Sequence, residues 1–180
     1  MPHATMDELM AALPHVLDAP KTDAPIQSLC FRPDFGQRDF LDSLELTVEH
    51  GIPGERWGKN PWLKLPDGRG DPRIQVSILP SRVLDAVWRD RETVPHPGDT
   101  IIADLDCSLT NLPVGTRIQA GTAVIEVSDE FNDGCVKWNA RYGLDARAWV
   151  SDPTLRLRGI LCRIVQDGVV RLTDRLQVLR

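Results

Sequence analysis

The sequence predicts a mainly β, barrel-like fold with a few short helices. Short alternating or β-branched runs fill both halves, Gly, Pro, Asn and Asp clusters punctuate them, and no regular strand–helix alternation is present. At 180 residues the chain fits one domain with a sizeable core. Its expected division is an N-terminal helix and loop over 1–20 and a single barrel domain over 21–180.

Taking the elements in order, Thr5 and Glu8 form a capping-box pattern, and Met6, Leu9, Met10 and Leu13 follow at helical spacing until Pro14 is expected to stop the run. IQSLCFR and LDSLELTVE read as a strand pair around a turn at Pro33 to Gln37. HGIPGERWGKNPWLKLPDGRGDP is too irregular for an element and too aromatic for a solvated linker, so it reads as a packed functional loop. RIQVSIL places Ile74, Val76 and Ile78 on one strand face, and Ser81 is expected to cap a helix carrying Val83, Leu84, Val87 and Trp88 on one side. DTIIADLDC is a strand, and TRIQAGTAVIEVS is a hairpin with its tight connection at Ala120 and Gly121. GLDARAWVS reads as a short helix. RGILCRIVQDGVVRLTDRLQVLR reads as a strand, an Asp167-Gly168 turn and two more strands.

Composition narrows the function. No apolar run approaches the roughly 18 to 20 residues of a membrane helix, and the opening residues lack a secretory pattern, so a cytoplasmic, non-membrane protein is expected. The net charge of −5 argues against nucleic acid as a partner, while leaving room for a local basic pocket. Cys30, Cys107, Cys135 and Cys162 include no CxxC pair, and the histidines at 3, 15, 50 and 96 have no i, i+4 partner, so neither a structural zinc nor a histidine metal cluster is indicated. Nucleotide-binding glycine motifs and GxSxG are absent.

The stretch DEFNDGCVKWNARYG carries the most chemistry. Asn132 or Asp133 can cap a helix that Gly143 ends, which puts Cys135 in its first turn, where amides and the helix dipole favour a thiolate. At about 100° per residue, Lys137 and Arg141 lie roughly 200° and 240° around that helix from Cys135 and are expected to face elsewhere. Trp138, Asn139 and Tyr142 would share the cysteine's side. Cys30 and Cys162 sit in apolar strands and Cys107 beside a turn, as core residues do.

The ordered series APK, a strand ending in RP, GIPGERWG, IQVSIL, PGDTIIADLD, LPVGTRIQAGTAVIEVS, the GC pair, RLRGILCRIV and GVVRLTD resembles a stand-alone bacterial MOSC domain. That family is named from the C-terminal domain of molybdenum cofactor sulfurases, and the resemblance runs from about Lys21 to Val178. It implies a barrel related to that of pyruvate kinase, and either molybdenum-pterin cofactor binding or sulfur transfer. Cys135 would then be the catalytic residue, as molybdenum ligand or persulfide carrier, with Arg56, Trp57, Lys137, Asn139 and Arg158 binding the cofactor. The activity implied is that of a molybdenum cofactor-dependent oxidoreductase or a sulfur carrier. With no pyridoxal phosphate domain in this chain, the donor would be a separate cysteine desulfurase or redox partner. Bacterial relatives commonly show HTGC where this chain has Asn132-Asp133-Gly134-Cys135, so a histidine close to the thiol is missing.

Two other readings share these residues. In one, the chain is a non-catalytic small-molecule binding module whose apolar pocket is lined by Trp57, Trp62 and Trp138. In the other, it is a thiol-dependent detoxifying enzyme without metal.

Overall fold

Alternate residues along the strands face two different interiors. The computed structural model describes residues 2–180. Its strands are β1 (Asp23–Phe31), β2 (Asp39–Phe40), β3 (Ser43–Leu46), β4 (Val76–Pro80), β5 (Ile101–Ala103), β6 (Arg117–Ala120), β7 (Ala123–Val127), β8 (Ile160–Gln166), β9 (Gly168–Arg171) and β10 (Arg175–Leu179). The helices are α1 (Met6–Leu17), α2 (Arg56–Lys59), α3 (Ser81–Val87), α4 (Val136–Tyr142) and α5 (Leu144–Trp149).

Seven strands close a mixed barrel in the order β10-β6-β7-β8-β4-β5-β1, with β1 pairing back onto β10. All its neighbours are antiparallel except β4 and β5, where Ile78 aligns with Ile101 and Leu79 with Ile102. Inside the barrel, Val76, Ile78, Ile101, Ala103, Ile118, Ile125, Cys162 and Ile164 form a continuous core. Leu79 and Ile102 point out of the same wall into a second core, built with Leu9, Val16, Val83, Trp138, Tyr142 and Trp149 from the surrounding helices. The period-2 alternation of β4 and β5 thus serves two cores at once.

Several local expectations shift. α1 continues through Pro14 to Leu17. Pro14 lies on the exposed side with Met10, whose carbonyl loses its helical donor where water can replace it. Pro80 occupies the N-cap position of α3, so Ser81 enters the first turn and caps nothing, and its hydroxyl is buried without a partner. The β6–β7 connection is Gly121-Thr122, because Ala120 still pairs with Ala123 and the positive φ of +62° falls on Gly121. β2 pairs with the end of β1, but β3 pairs with β9 across the chain, so Asp167-Gly168 does not turn a hairpin between β8 and β9. Ile74 lies in a 3-10 turn just before β4, not on the strand face it was expected to share.

Candidate functional site

Five segments converge on one cleft of about 380 Å³: the loop after β1, Arg56 at the start of α2, the turn before β5, α4 with its N-cap residue, and Arg158 just before β8. They bring Cys135 together with Arg32, Arg38, Arg56, Lys137, Arg141 and Arg158, and the only carboxylate in the lining is Asp34.

Two of the six cations are braced from behind. Arg32 donates through Nε and Nη2 to both oxygens of Glu55 at 3.0 and 3.3 Å, and its Nη2 also reaches the Thr100 hydroxyl at 3.3 Å. Glu55 is only 1% exposed, so this pair is a fixed part of the cleft wall. Burial opposes the charge on Arg32, but the Glu55 carboxylate outweighs it and holds the guanidinium above its ordinary range. Arg158 donates from Nη1 to Asp99 at 2.8 Å, with its guanidinium 4.5 Å from the centre of the Trp138 ring.

The other four, Arg38, Arg56, Lys137 and Arg141, have no carboxylate partner among the described residues. Arg38 bonds the Gly36 carbonyl at 2.9 Å and Arg141 the Pro97 carbonyl at 3.3 Å, contacts that orient but do not neutralise. Burial first, and then the neighbouring Arg141 charge, lower the pKa of Arg38. The Lys137 ammonium and the Arg56 guanidinium sit 3.9 and 5.1 Å from the centre of the exposed Phe35 ring. The Nε atoms of Arg38 and Arg158 are buried without a hydrogen-bond partner. A chain with net charge −5 therefore carries a concentrated positive site.

The backbone explains why the helical-wheel expectation fails here. α4 starts at Val136, and Cys135 is its N-cap with φ −81° and ψ 175°, an extended conformation outside the helix. The 100° step does not apply across that junction, so Lys137 and Arg141 line the same cleft as the thiol. Neither Asn132 nor Asp133 is the cap. Asp133 Oδ1 instead accepts from Gly134 N and the Ser151 hydroxyl, both at 2.6 Å. Gly143 ends α4 at a positive φ of +95°, as expected of a terminating glycine, but its ψ of 169° lies outside the left-handed helical region and leads the chain directly into α5. Of the expected aromatic wall, only Trp138 touches the cleft; Tyr142 is buried in the outer core with its hydroxyl on the Pro95 carbonyl at 3.2 Å.

Cys135, Arg56, Lys137 and Arg158 meet in the cleft, whereas Trp57 and Asn139 lie outside its lining. The Trp57 ring packs between Gly51 and Gly70, where an added Cβ would come within 2.9 and 2.7 Å of ring atoms, and its Nε1 donates to the Asp71 carbonyl at 2.9 Å. Trp57 and Trp62 border a small pocket of about 70 Å³ beside the cleft, separate from Trp138, so the three tryptophans do not converge on one apolar pocket. Sequence reasoning missed Arg32, Arg38 and Phe35. The signal was RPDFGQR, a turn with an arginine at each end.

The other thiols contrast with Cys135, which is exposed. Burial pushes Cys30 up to about 11, and it drives Cys107 and Cys162 well above the ordinary thiol range. Among the described residues no cluster of three or more histidine, cysteine, aspartate or glutamate side chains could hold a metal, and no helix is long and apolar enough to cross a membrane.

The barrel has solved counterparts. The YuaD protein from Bacillus subtilis superposes with a TM-score of 0.63 at 22% identity, covering 87% of this chain and 95% of that one. YiiM from Escherichia coli gives 0.55 at 20% identity over 86% and 69% of the two chains, and YiiM from Geobacillus stearothermophilus 0.56 at 16% over 87% and 75%. The chain has a MOSC-like fold. No family model and no curated protein matches it.

Proposed function

We propose that the cleft binds an anionic, phosphate-bearing molybdenum-pterin cofactor, with the Cys135 sulfur as the protein's ligand to the metal. One observation carries this reading: the chain's one exposed thiol shares a cleft with four cations that lack carboxylate partners. The donor set fits the group. A soft thiolate suits molybdenum, planar guanidinium forks suit phosphate, and the buried unpaired Nε atoms of Arg38 and Arg158 are donors in want of an acceptor.

Arg38, Arg56, Lys137 and Arg141 would hold the phosphate and adjoining polar edges, and Arg158, fixed by Asp99, would define one wall. When bound, the group supplies a two-electron redox centre. Cys135 would hold that centre in the cleft, and the cations would compensate its negative charge. A separate cytoplasmic redox partner or cysteine desulfurase would complete the system. The same exposed sulfur is what a persulfide carrier requires, so sulfur transfer is the second reading.

Metal and pterin analysis of protein purified from a molybdenum-replete host tests the first reading. Near-stoichiometric molybdenum is expected in the wild type, with loss in Cys135→Ser and reduced pterin in Arg141→Gln. Wild-type protein without either component overturns it. Transfer of labelled sulfur from a desulfurase to Cys135 in that metal-free protein would then favour the carrier.

A further inference from the structure

We propose that Cys135 is a site of selective thiol–disulfide exchange with small anionic disulfides, of which oxidised glutathione is representative. This goes beyond cofactor binding and does not require it. Access selects the thiol: Cys30 and Cys162 are 0% exposed and Cys107 is 2% exposed, whereas Cys135 opens onto the cleft. Charge selects the reagent. Arg38, Arg56, Lys137 and Arg141 line that cleft without carboxylate partners, and Asp34, the one lining carboxylate, already accepts from the Phe35 amide at 2.6 Å. A cleft in which one sign of charge predominates raises the local concentration of oppositely charged reagents and repels like ones.

The step balances without another oxidant. The Cys135 sulfur attacks one sulfur of the reagent, a new S–S bond forms as the old one breaks, and the departing half leaves as a thiol carrying the proton that Cys135 gives up. Cys135 is oxidised to a mixed disulfide and half the reagent is reduced. With the other three cysteines buried, no second thiol of the chain is placed to resolve the adduct, so it persists until an external thiol reverses it. The adduct removes the free sulfur and places carboxylates among the cations, making it a reversible block on whatever Cys135 does.

The test uses the full chain from a molybdenum-depleted host, with metal content measured on the same sample so that a failed cofactor reading stays distinguishable. Oxidised glutathione, neutral bis(2-hydroxyethyl) disulfide and cationic cystamine are compared by intact mass and peptide mapping, each rate divided by that with a small free thiol. A single adduct on Cys135 is expected, with an anion-over-cation preference of about tenfold at low salt that collapses near 1 M salt. Lys137→Gln, at an exposed position and so safe for folding, lowers the preference, and Lys137→Arg restores it. Adducts on the other cysteines, a preference within twofold of unity, or one indifferent to salt and to Lys137→Gln overturns the proposal.

Discussion

The tryptophan loop over 50–72 and the cysteine segment over 129–143 look equally functional in sequence, yet they do opposite work in the fold. In the first, Trp57 is clasped by Gly51 and Gly70 and bonded to Asp71, and Glu55 is buried against Arg32. In the second, Cys135 stands exposed at a helix cap with its sulfur making no capping bond. The tryptophan loop holds the cleft's wall in place. The cysteine segment supplies its one exposed thiol. Motif density alone does not separate scaffold from site; whether a side chain's bonding capacity is already used does.

Substitutions should separate the two regions by stability, from the largest effect to the smallest. Glu55→Ala removes the bidentate partner of the Arg32 guanidinium and is expected to cost about 3 kcal/mol in urea unfolding, the low end of the range for breaking one side of a buried ion pair, because the Arg32 side chain is 30% exposed. A cost under 1 kcal/mol would mean that the loop does not brace the cleft.

Acid should act next, through His96, which packs edge-on against Phe40 and Trp88 and accepts the Gly98 N–H at Nδ1. Burial lowers its pKa to about 4, opposed by Asp99 and assisted by Arg38, Arg141 and Arg91. The unfolded chain protonates near 6.5, so the folded state loses stability as pH falls from about 6.5 toward 4, by about 3 kcal/mol in all. His96→Gln keeps an acceptor and should flatten that part of the pH–stability curve.

Trp57→Ala is expected to cost about 2 to 3 kcal/mol, less than a fully buried tryptophan, because the ring is half-buried. Cys135→Ser closes the series: at an exposed position it should change stability by less than about 0.5 kcal/mol while removing molybdenum or sulfur loading. If Trp57→Ala left stability intact or Cys135→Ser lost it, the contrast between the regions would collapse.

What was legible in sequence follows from range. The β6–β7 hairpin, the β4 strand and the apolar side of α3 are local patterns and were readable, with turn and caps off by a residue. The β3–β9 pairing joins Leu44 to Val170, and no local periodicity reports a contact at that separation. Cys135 was readable as a candidate. Its companions were not, because the helical wheel was extended through a residue whose φ and ψ lie outside the helix, and because Arg32 and Arg38 looked like ordinary turn flanks until the fold closed them over α4.

The single parallel pair β4–β5 has a further consequence, one of parity. Around a closed ring of strands, direction can alternate without exception only when the strand count is even. Seven strands make one like-directed neighbour unavoidable, and a like-directed neighbour cannot be reached by a tight turn. The chain must travel the length of the barrel outside before it re-enters. That return excursion is the 81–100 segment, which carries α3 into the outer core, delivers Pro97 and Gly98 to the cleft and sets Asp99 behind Arg158. An eighth barrel strand would restore full alternation and, with it, remove the topological need for the excursion that now builds one wall of the site.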